Sequence, residues 1–262
     1  MKTFADIIAA AKAKGPKKLA IAGTPNAELL EAIARTQRQG IAEAVIFPDA
    51  PSAAIAVRDG ECDVLMKGSV DTKSFMKAVL EKDHALRTGQ LVSHVLLFEA
   101  MGRLMLLTDA GVCINPTLEE KAEIIRNAIP LANALGINQP KVAALAAVEK
   151  VNPKMPETLD AEALSRMDIP GCVVQGPLAL DNAVSPAAAK TKGITGPVAG
   201  HADILLVPNV LSGNLLAKSI MYFSDCPVGG VAAGTRRAVT FASRSDTADT
   251  KFHTLVLGVI MS

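Results

Sequence analysis

The stretch LAIAGTPNAELLEAIARTQRQGIAEAVIF, residues 19–47, decides the fold class of this chain. It begins with a short apolar run, Leu19–Ala22, which is typical of a buried strand. Thr24 and Pro25 then predict the N-cap and the first position of a helix, and Ala44–Phe47 predicts a second strand. A strand, a helix and a strand in this order predict a right-handed crossover between parallel strands.

The same alternation continues along most of the chain. Further strands are predicted at Asp63–Met66, Val142–Ala147, Cys172–Gln175, Asp203–Val207 and Val239–Ala242. Two apolar runs with a short link, Gln90–Phe98 and Arg103–Thr108, favour a hairpin. The box Thr117-Leu118-Glu119-Glu120 predicts a helix start, and a last helix is predicted at Lys251–Met261. We therefore predict an α/β protein with mainly parallel sheets.

The charge and aromatic content exclude two classes of partner. The 262 residues carry 27 basic and 26 acidic side chains, a net charge of +1, so no electrostatic attraction to nucleic acid or to an anionic membrane is expected. Aromatic residues make up 3% of the chain and tryptophan is absent, which disfavours a base-stacking surface. No apolar run approaches the roughly 18 residues of a membrane span.

The four cysteines favour an intracellular protein. Cys62, Cys113, Cys172 and Cys226 are too far apart in the sequence for metal-ligand or redox motifs, so no metal site is predicted. Reduced thiols fit a cytoplasmic location. The first residues, MKTFADIIAAAKAKG, contain charged residues that interrupt the apolar core of any signal peptide.

The strongest candidate for chemistry is Ser243-Arg244-Ser245-Asp246, which follows a predicted strand and precedes the last helix. Arg244 offers a planar guanidinium for a phosphate, and the start of the helix adds N–H donors. Ser243 is suited to orienting a nucleophile, and Asp246 or Asp249 to accepting a proton. The alternative is structural: Ser245 or Asp246 caps the helix, and Arg244 pairs with a surface carboxylate.

Basic and amide side chains at other strand ends form a second set of candidates. Lys67 with Gly68 follows a strand, so backbone and ammonium can approach a phosphate together, and Thr72 is expected to cap the next helix. Arg87 adds a guanidinium, although a solvated turn lysine and a structural arginine are the alternatives. Asp109, Asn209 and Asn214 also lie at or near strand ends, where open α/β sheets bind ligands, although Asp109 fits a turn acceptor better.

Several common motifs are absent. The chain contains no G-x-G-x-x-G, no P-loop, no H-E-x-x-H and no G-x-S-x-G. These absences disfavour dinucleotide dehydrogenases of the common type, P-loop enzymes, zinc proteases and serine hydrolases.

Taken together, the strand-end segments resemble the phosphate acetyltransferase and phosphate butyryltransferase family, in the family's order from about residue 61 to 251. The matching stretches are DVLMKGSVDT, LRTGQLVSHV, LLTDAGVCINP, EEKAEIIRNA, PKVAALAAVEKVNPKM, GPLALDNAVS, HADILLVPNVLSGNLLAK and SRSDTADTK. The MKG and SRSD segments resemble those of the butyryltransferase branch of the family.

The resemblance implies a two-lobed α/β fold like that of isocitrate and isopropylmalate dehydrogenases. Residues 1–88 and 236–262 would form the first lobe and residues 89–235 the second, with the active site in the cleft between them. The implied reaction converts acyl-CoA and phosphate into acyl phosphate and CoA in a homodimer or an assembly of dimers. Coenzyme A is then a substrate, and no cofactor is tightly bound.

The resemblance also assigns roles to residues. The family's Ser-Arg pair falls on Ser243 and Arg244, which would contact the CoA thiol and phosphate. The position of the family's aspartate base leaves both Asp246 and Asp249 as candidates. Lys67 and Arg87 fall on basic positions that would bind phosphate or CoA. We expect direct attack by the CoA thiolate on the acyl phosphate, with no covalent enzyme intermediate.

One departure from the family pattern and two alternatives complete the hypothesis. The segment Pro48–Ser52 is shorter than in the family, which puts the completeness of the first lobe in doubt. The alternatives are a dehydrogenase on the same fold and a non-catalytic protein that binds CoA or acyl phosphate. Acyl chain length does not follow from the sequence, because one methylene changes selectivity by only about 1–3 kcal/mol.

Overall fold

The computed structural model describes residues Met1–Ser262 and separates them into two units. The first unit contains Met1–Val92 and Pro227–Ser262, and the second contains Ser93–Cys226. Residues 89–92 and 227–235, which the predicted boundaries placed in the second lobe, therefore lie in the first unit.

The first unit is built from helices alternating with short strands. Its elements are α1 (Phe4–Ala13), β1 (Lys17–Ala22), α2 (Ala27–Arg38), β2 (Ala42–Phe47), α3 (Ala50–Arg58), β3 (Val64–Lys67), α4 (Thr72–Leu80), a short 3-10 helix (Lys82–His84), and later β9 (Val228–Ala233), β10 (Ala238–Thr240) and α10 (Ala248–Met261). The strands lie in the order β2-β1-β3-β10-β9, and only the pair β9–β10 is antiparallel.

Strands β1 and β3 of the first unit are buried on both faces of the sheet, because successive side chains point to opposite sides and nearly all of them are buried. Leu65 of β3 packs with the apolar residues of α3 and α4. Its neighbour Val64 faces Gly258 of α10, where a side chain on the glycine would lie 2.6 Å from the valine Cγ1. Strands with two buried faces read as continuous apolar runs, which explains why β1 and β3 were visible in the sequence.

The second unit has the same alternation around a hairpin. Its elements are β4 (Ser93–Ala100), β5 (Arg103–Thr108), α5 (Leu118–Ala134), β6 (Lys141–Leu145), α6 (Pro156–Arg166), β7 (Val173–Leu178), α7 (Leu180–Val184), α8 (Pro186–Thr191), β8 (Ile204–Leu206) and α9 (Val210–Phe223). The strand order is β4-β5-β8-β6-β7. The pair β4–β5 is antiparallel, and the other pairs are parallel. The predicted hairpin and the mainly parallel α/β fold are confirmed.

Three predicted helix starts are wrong by a few residues. Asn26, not Thr24, caps α2, because its side chain accepts the N–H of Leu29. Asp71 caps α4, so Thr72 is the first helical residue. Helix α10 begins before Lys251, at Ala248, and its N-cap is Thr247, whose hydroxyl accepts the N–H of Thr250. In each case a nearby side chain offers an equivalent acceptor, and the packing of the helix on the sheet selects one of them.

Two strand ends meet at one edge of the first unit's sheet. In the parallel register, Ala22 of β1 lies opposite Lys67 of β3, and Thr240 of β10 lies opposite Met66. The residues that follow β3 and β10 in the sequence therefore leave the sheet side by side.

No helix in the structure has both the length and the apolar character needed to cross a bilayer.

Candidate active site

The loop from Ser243 to Asp246 connects β10 to α10 and folds as a closed turn. The Asp246 N–H donates to the Ser243 carbonyl at 3.2 Å, and the Ser243 N–H donates to Oδ2 of Asp246 at 2.7 Å. The hydroxyls of Ser243 and Ser245 lie 3.1 Å apart. Asp246 is 8% exposed, whereas Ser243 and Arg244 are exposed to solvent. Ser243 and Arg244 therefore lie on the solvent side of the turn, and the carboxylate of Asp246 lies on its buried side.

The Arg244 guanidinium belongs to none of the eight ion pairs in the structure, which disfavours the structural alternative of a surface ion pair. Neither Ser245 nor Asp246 caps the helix, because that position belongs to Thr247. The sequence alternative in which this segment serves only as a helix cap therefore loses its support.

The two candidate bases differ in their surroundings. Asp249, in the first turn of α10, accepts from Arg35 Nη1 of α2 at 2.5 Å, and Arg35 also stacks on the Phe252 ring at 3.9 Å. This pair fastens α10 to α2. Asp246 instead lies inside the Ser243–Asp246 loop, and its negative charge acts on Lys67. Of the two aspartates, Asp246 is the one directly bonded to the main chain of Ser243.

Lys67 is the last residue of β3 and is 5% exposed. Its ammonium lies 3.4 Å from the carbonyl oxygens of Gly68 and of Val70. Burial lowers the pKa of Lys67, and the charges of Arg244 and Lys251 lower it further, while Asp71 and Asp246 act in the opposite direction. The tertiary structure thus brings Lys67 within electrostatic range of Arg244, as the strand-end argument predicted.

Gly68 and Thr72 shape the chain next to Lys67. A side chain at Gly68 would lie 2.6 Å from the Gly23 carbonyl oxygen and 2.7 Å from that of Ala22, so the loop after β3 approaches the β1 end more closely than any other residue allows. Thr72 is exposed at the start of α4. Its predicted contact with phosphate or CoA stays a prediction.

Arg87 is held by main-chain interactions. It forms an isolated bridge with Thr235, and its carbonyl accepts from Nε of Arg236 at 2.7 Å. Its own Nε is buried and has no hydrogen-bond partner. An unsatisfied buried N–H of a guanidinium is uncommon, which keeps Arg87 as a candidate for an anionic ligand.

Three candidates belong to the second unit, which is described here by itself. Asp109 is 3% exposed, and its carboxylate accepts the N–H groups of His94, Gly111 and Val112 at 2.6–2.7 Å. Burial raises the pKa of the neighbouring Cys113 thiol, and the negative charge of Asp109 raises it further. Asp109 therefore shapes the loop after β5 in this structure, which is the turn-acceptor alternative that the sequence favoured.

Asn209 and Asn214 lie on α9. Asn209 is its N-cap and accepts the N–H of Ser212 at 3.1 Å, whereas Asn214 is exposed. Asn209 also lines a groove of about 480 Å³. The groove is walled by Asn115, Pro116, Lys121, Pro156, Glu157, Asp160, Pro208, Leu211, Ser212 and Leu215. The predicted position of the active site relative to the two lobes stays a prediction.

Sequence reasoning missed Lys251. This residue is 3% exposed, and its ammonium donates to the Asp246 carbonyl at 2.5 Å. Its charge also reaches Lys67. The available signal was a lysine on the inner face of an otherwise apolar helix, directly after the SRSD segment.

Comparisons with known proteins place the whole chain in one family. The sequence pattern of the family "Phosphate acetyl/butaryl transferase" matches residues 48–259. The phosphate butyryltransferase of Clostridium acetobutylicum is 40% identical over 297 positions, covering 100% of this chain and 99% of the relative. The phosphate acetyltransferase of Thermotoga maritima is 37% identical, covering 98% of each chain.

Solved structures give the same result for the fold. A branched-chain phosphotransacylase from Enterococcus faecalis superimposes with a TM-score of 0.86 at 33% identity, covering 94% of this chain and 98% of the other. A putative 4-hydroxythreonine-4-phosphate dehydrogenase from Salmonella typhimurium reaches a TM-score of 0.52 at 12% identity, with 93% and 90% coverage, and shows likeness of fold alone. The predicted two-lobed, dehydrogenase-like α/β fold is confirmed.

The connection after β2 is short, and this chain is shorter than its relative. The alignment with the Clostridium acetobutylicum protein runs over 297 positions, whereas this chain has 262 residues, so the relative contains residues that this chain lacks. In this structure only Pro48 and Asp49 separate β2 from α3. Asp49 caps α3 by accepting the N–H of Ser52 at 2.8 Å, so the shortened connection is closed by an ordinary helix start.

Proposed function

The chain belongs to the phosphate acetyl/butaryl transferase family, and on that premise we propose which of its residues perform the reaction. It is a phosphate acyltransferase, which interconverts acyl-CoA and phosphate with acyl phosphate and CoA. The comparisons give no support to a dehydrogenase or to a non-catalytic binding protein. The observation that carries the residue assignment is the grouping of Lys67 and Arg244 beside the buried carboxylate of Asp246.

Phosphate binds to Arg244 in this proposal. The guanidinium is exposed and outside every ion pair, and its planar fork matches two phosphate oxygens. Lys67 adds a second positive charge from the neighbouring strand end. Arg87 is assigned to a phosphate of the same substrates, supported by its unsatisfied buried Nε.

The thiol of CoA loses its proton to the Asp246 carboxylate. A free thiol of this kind has a pKa of roughly 8.5, and nearby positive charges lower it. Asp246 is preferred over Asp249 because the Asp249 carboxylate is already paired with Arg35. The Ser243 hydroxyl, at the outer side of the same loop, orients the sulfur.

The thiolate then attacks the carbonyl carbon of the acyl phosphate. A C–S bond forms, the bond between that carbon and the phosphate oxygen breaks, and the electron pair leaves with phosphate. Arg244 stabilises the charge that develops on the departing oxygens, and no covalent enzyme intermediate is formed. Holding both substrates together contributes several kcal/mol through proximity.

The acyl group, the location and the assembly are also part of the proposal. The SRSD and MKG segments favour butyryl or another short acyl chain, and the relatives include both butyryl- and acetyltransferases. The four free cysteines support a cytoplasmic location. A homodimer is supported by the outer face of α9, where Leu211 and Leu215 are 66% and 60% exposed.

The test is an assay of CoA release from acetyl-CoA, butyryl-CoA and longer acyl-CoA with phosphate or arsenate. Arg244→Ala is expected to raise the KM for phosphate at least about tenfold, since a charge-assisted hydrogen bond is lost. Asp246→Asn keeps an acceptor for the Ser243 N–H and is expected to lower kcat about 100-fold or more. Arg237→Ala, an exposed arginine before β10, is the matched control and should leave both constants unchanged.

Two results would refute the assignment. If Arg244→Ala leaves the phosphate KM of the best acyl-CoA unchanged, Arg244 does not bind phosphate. If Asp249→Asn lowers kcat and Asp246→Asn does not, the proton acceptor is the other aspartate.

A further inference from the structure

Lys251 is a buried cation on an apolar helix. It lies in α10, where most of the other buried residues are apolar, and it is 3% exposed. A buried ammonium is costly unless it is paired or hydrogen-bonded. No carboxylate pairs with Lys251 in any of the eight ion pairs. Main-chain carbonyls take that place.

The carbonyls that Lys251 contacts belong to the Ser243–Asp246 loop. Its ammonium donates to the Asp246 oxygen at 2.5 Å and lies 3.4 Å from the Arg244 oxygen. These two carbonyls flank Ser245, so one ammonium holds the main chain directly after the Arg244 Cα that carries the guanidinium. The loop's other bonds, between Ser243 and Asp246, close its ends but do not reach Arg244.

The charges around the loop indicate what it is built to bind. The positive charges of Arg244 and Lys251 both lower the pKa of Lys67, so these two cations and Lys67 itself form one group of positive charges. Asp71 and Asp246 are the acids that oppose them. A phosphate dianion at Arg244 would relieve the repulsion between these cations.

We propose that Lys251 is a positioning residue for acyl transfer, which fixes the main chain on both sides of Ser245 and thereby aims the Arg244 guanidinium at phosphate. The proposal rests on the proposed function, since it takes Arg244 as the phosphate ligand. It extends that function to a residue that does not itself contact the substrate.

A second lysine provides a matched control. Lys14 donates its ammonium to the carbonyls of Val259, Ile260 and Ser262 at 2.7–3.3 Å, at the opposite end of α10. Its ammonium, like that of Lys251, donates to main-chain oxygens, but Lys14 lies at the end of α1, is exposed and is far along the sequence from the loop. Removing either ammonium is expected to lower the melting temperature, but only Lys251 is expected to affect phosphate.

The experiment compares Lys251→Met, Lys251→Arg and Lys14→Met in the full chain with butyryl-CoA and phosphate. Lys251→Met should raise the KM for phosphate at least about tenfold, with less than about a threefold change in the KM for acyl-CoA, because hydrogen bonds from a charged donor to the loop are lost. Lys251→Arg keeps the donors and should restore part of the phosphate KM. Lys14→Met should leave both KM values within about threefold of wild type.

The outcomes separate this proposal from the previous one. A Lys251→Met enzyme that is folded and keeps the wild-type phosphate KM, or that raises both KM values equally, refutes the positioning role. If Lys251→Met does not fold, Lys251→Gln, which keeps an amide donor and removes the charge, is measured by the same criteria. If Arg244→Ala has no effect on phosphate, the proposed function fails first, whatever Lys251 does.

Discussion

At the scale of one residue, burial and neighbouring charges lower the pKa of Lys67, a lysine at the end of a strand. The side chain is buried beside Arg244 and Lys251, with Asp71 and Asp246 as the opposing acids, and its pKa lies below the ordinary 10.5. A bound anion stabilises the protonated form. The contribution of Lys67 to phosphate affinity is therefore fully present below the lowered pKa of Lys67 and is lost as the pH rises through that pKa.

This sign gives a pH prediction. We expect the KM for phosphate to rise with pH in the alkaline range, before the pH reaches 10.5, where phosphate itself stays a dianion. In Lys67→Arg the guanidinium stays charged throughout this range, so the alkaline rise should disappear. The measurement is the phosphate KM between pH 8 and 10.5 for both proteins. A rise of equal size in Lys67→Arg would contradict the assignment.

Helix α10 shows at the scale of an element why a glycine is needed within a helix. The helix packs against β3 and β10 at Gly258, where a side chain would lie 2.6 Å from Cγ1 of Val64 and 3.0 Å from Cγ2 of Thr240. Both neighbours are β-branched and buried, so neither moves easily.

Gly258→Ala tests this packing. Alanine in a helix interior is favoured over glycine by about 1 kcal/mol, whereas overpacking a core costs about 1–3 kcal/mol. We expect the clash to prevail and the free energy of unfolding to fall by about 1–2 kcal/mol. Urea unfolding of the wild type and of Gly258→Ala measures this difference. An unchanged or increased stability of Gly258→Ala would contradict the tight packing.

At the scale of the whole molecule, the exposed apolar side chains of α9 concern the assembly of the chain. Leu211, Leu215, Tyr222 and Phe223 are exposed, the last of them at 88%. Exposure of so many large apolar side chains to water on one fourteen-residue helix is unfavourable. The homodimer proposed above uses this face as the contact between two copies of the chain.

The prediction is a change of assembly. Leu215→Glu should convert a dimer into a monomer in light scattering coupled to gel filtration, because a buried unpaired carboxylate in an interface is unfavourable. Leu30→Glu, at a half-exposed leucine of α2, is the control and should leave the mass unchanged. A wild-type chain that is monomeric at micromolar concentration, or a dimeric Leu215→Glu protein, would refute the assigned interface.

The sequence by itself determined the fold class, because buried parallel strands are apolar runs and the helices between them follow an amphipathic period. It also identified the Ser243–Asp246 segment and Lys67, since polar residues after such strands are easily seen, and its likeness to a family supplied the reaction. The caps of α2, α4 and α10 were missed because neighbouring Thr, Asn and Asp residues have similar cap preferences.

Only the tertiary structure decided which of these residues interact with one another. The parallel register of β3 and β10 brings Lys67 toward Arg244, although about 180 residues of sequence separate them. Asp249 pairs with Arg35 whereas Asp246 bonds to the main chain of Ser243, and Lys251 is buried with hydrogen bonds to the Ser243–Asp246 loop. Contacts between residues distant in sequence depend on strand order and packing, and a local pattern in one segment carries no information about its neighbours in space.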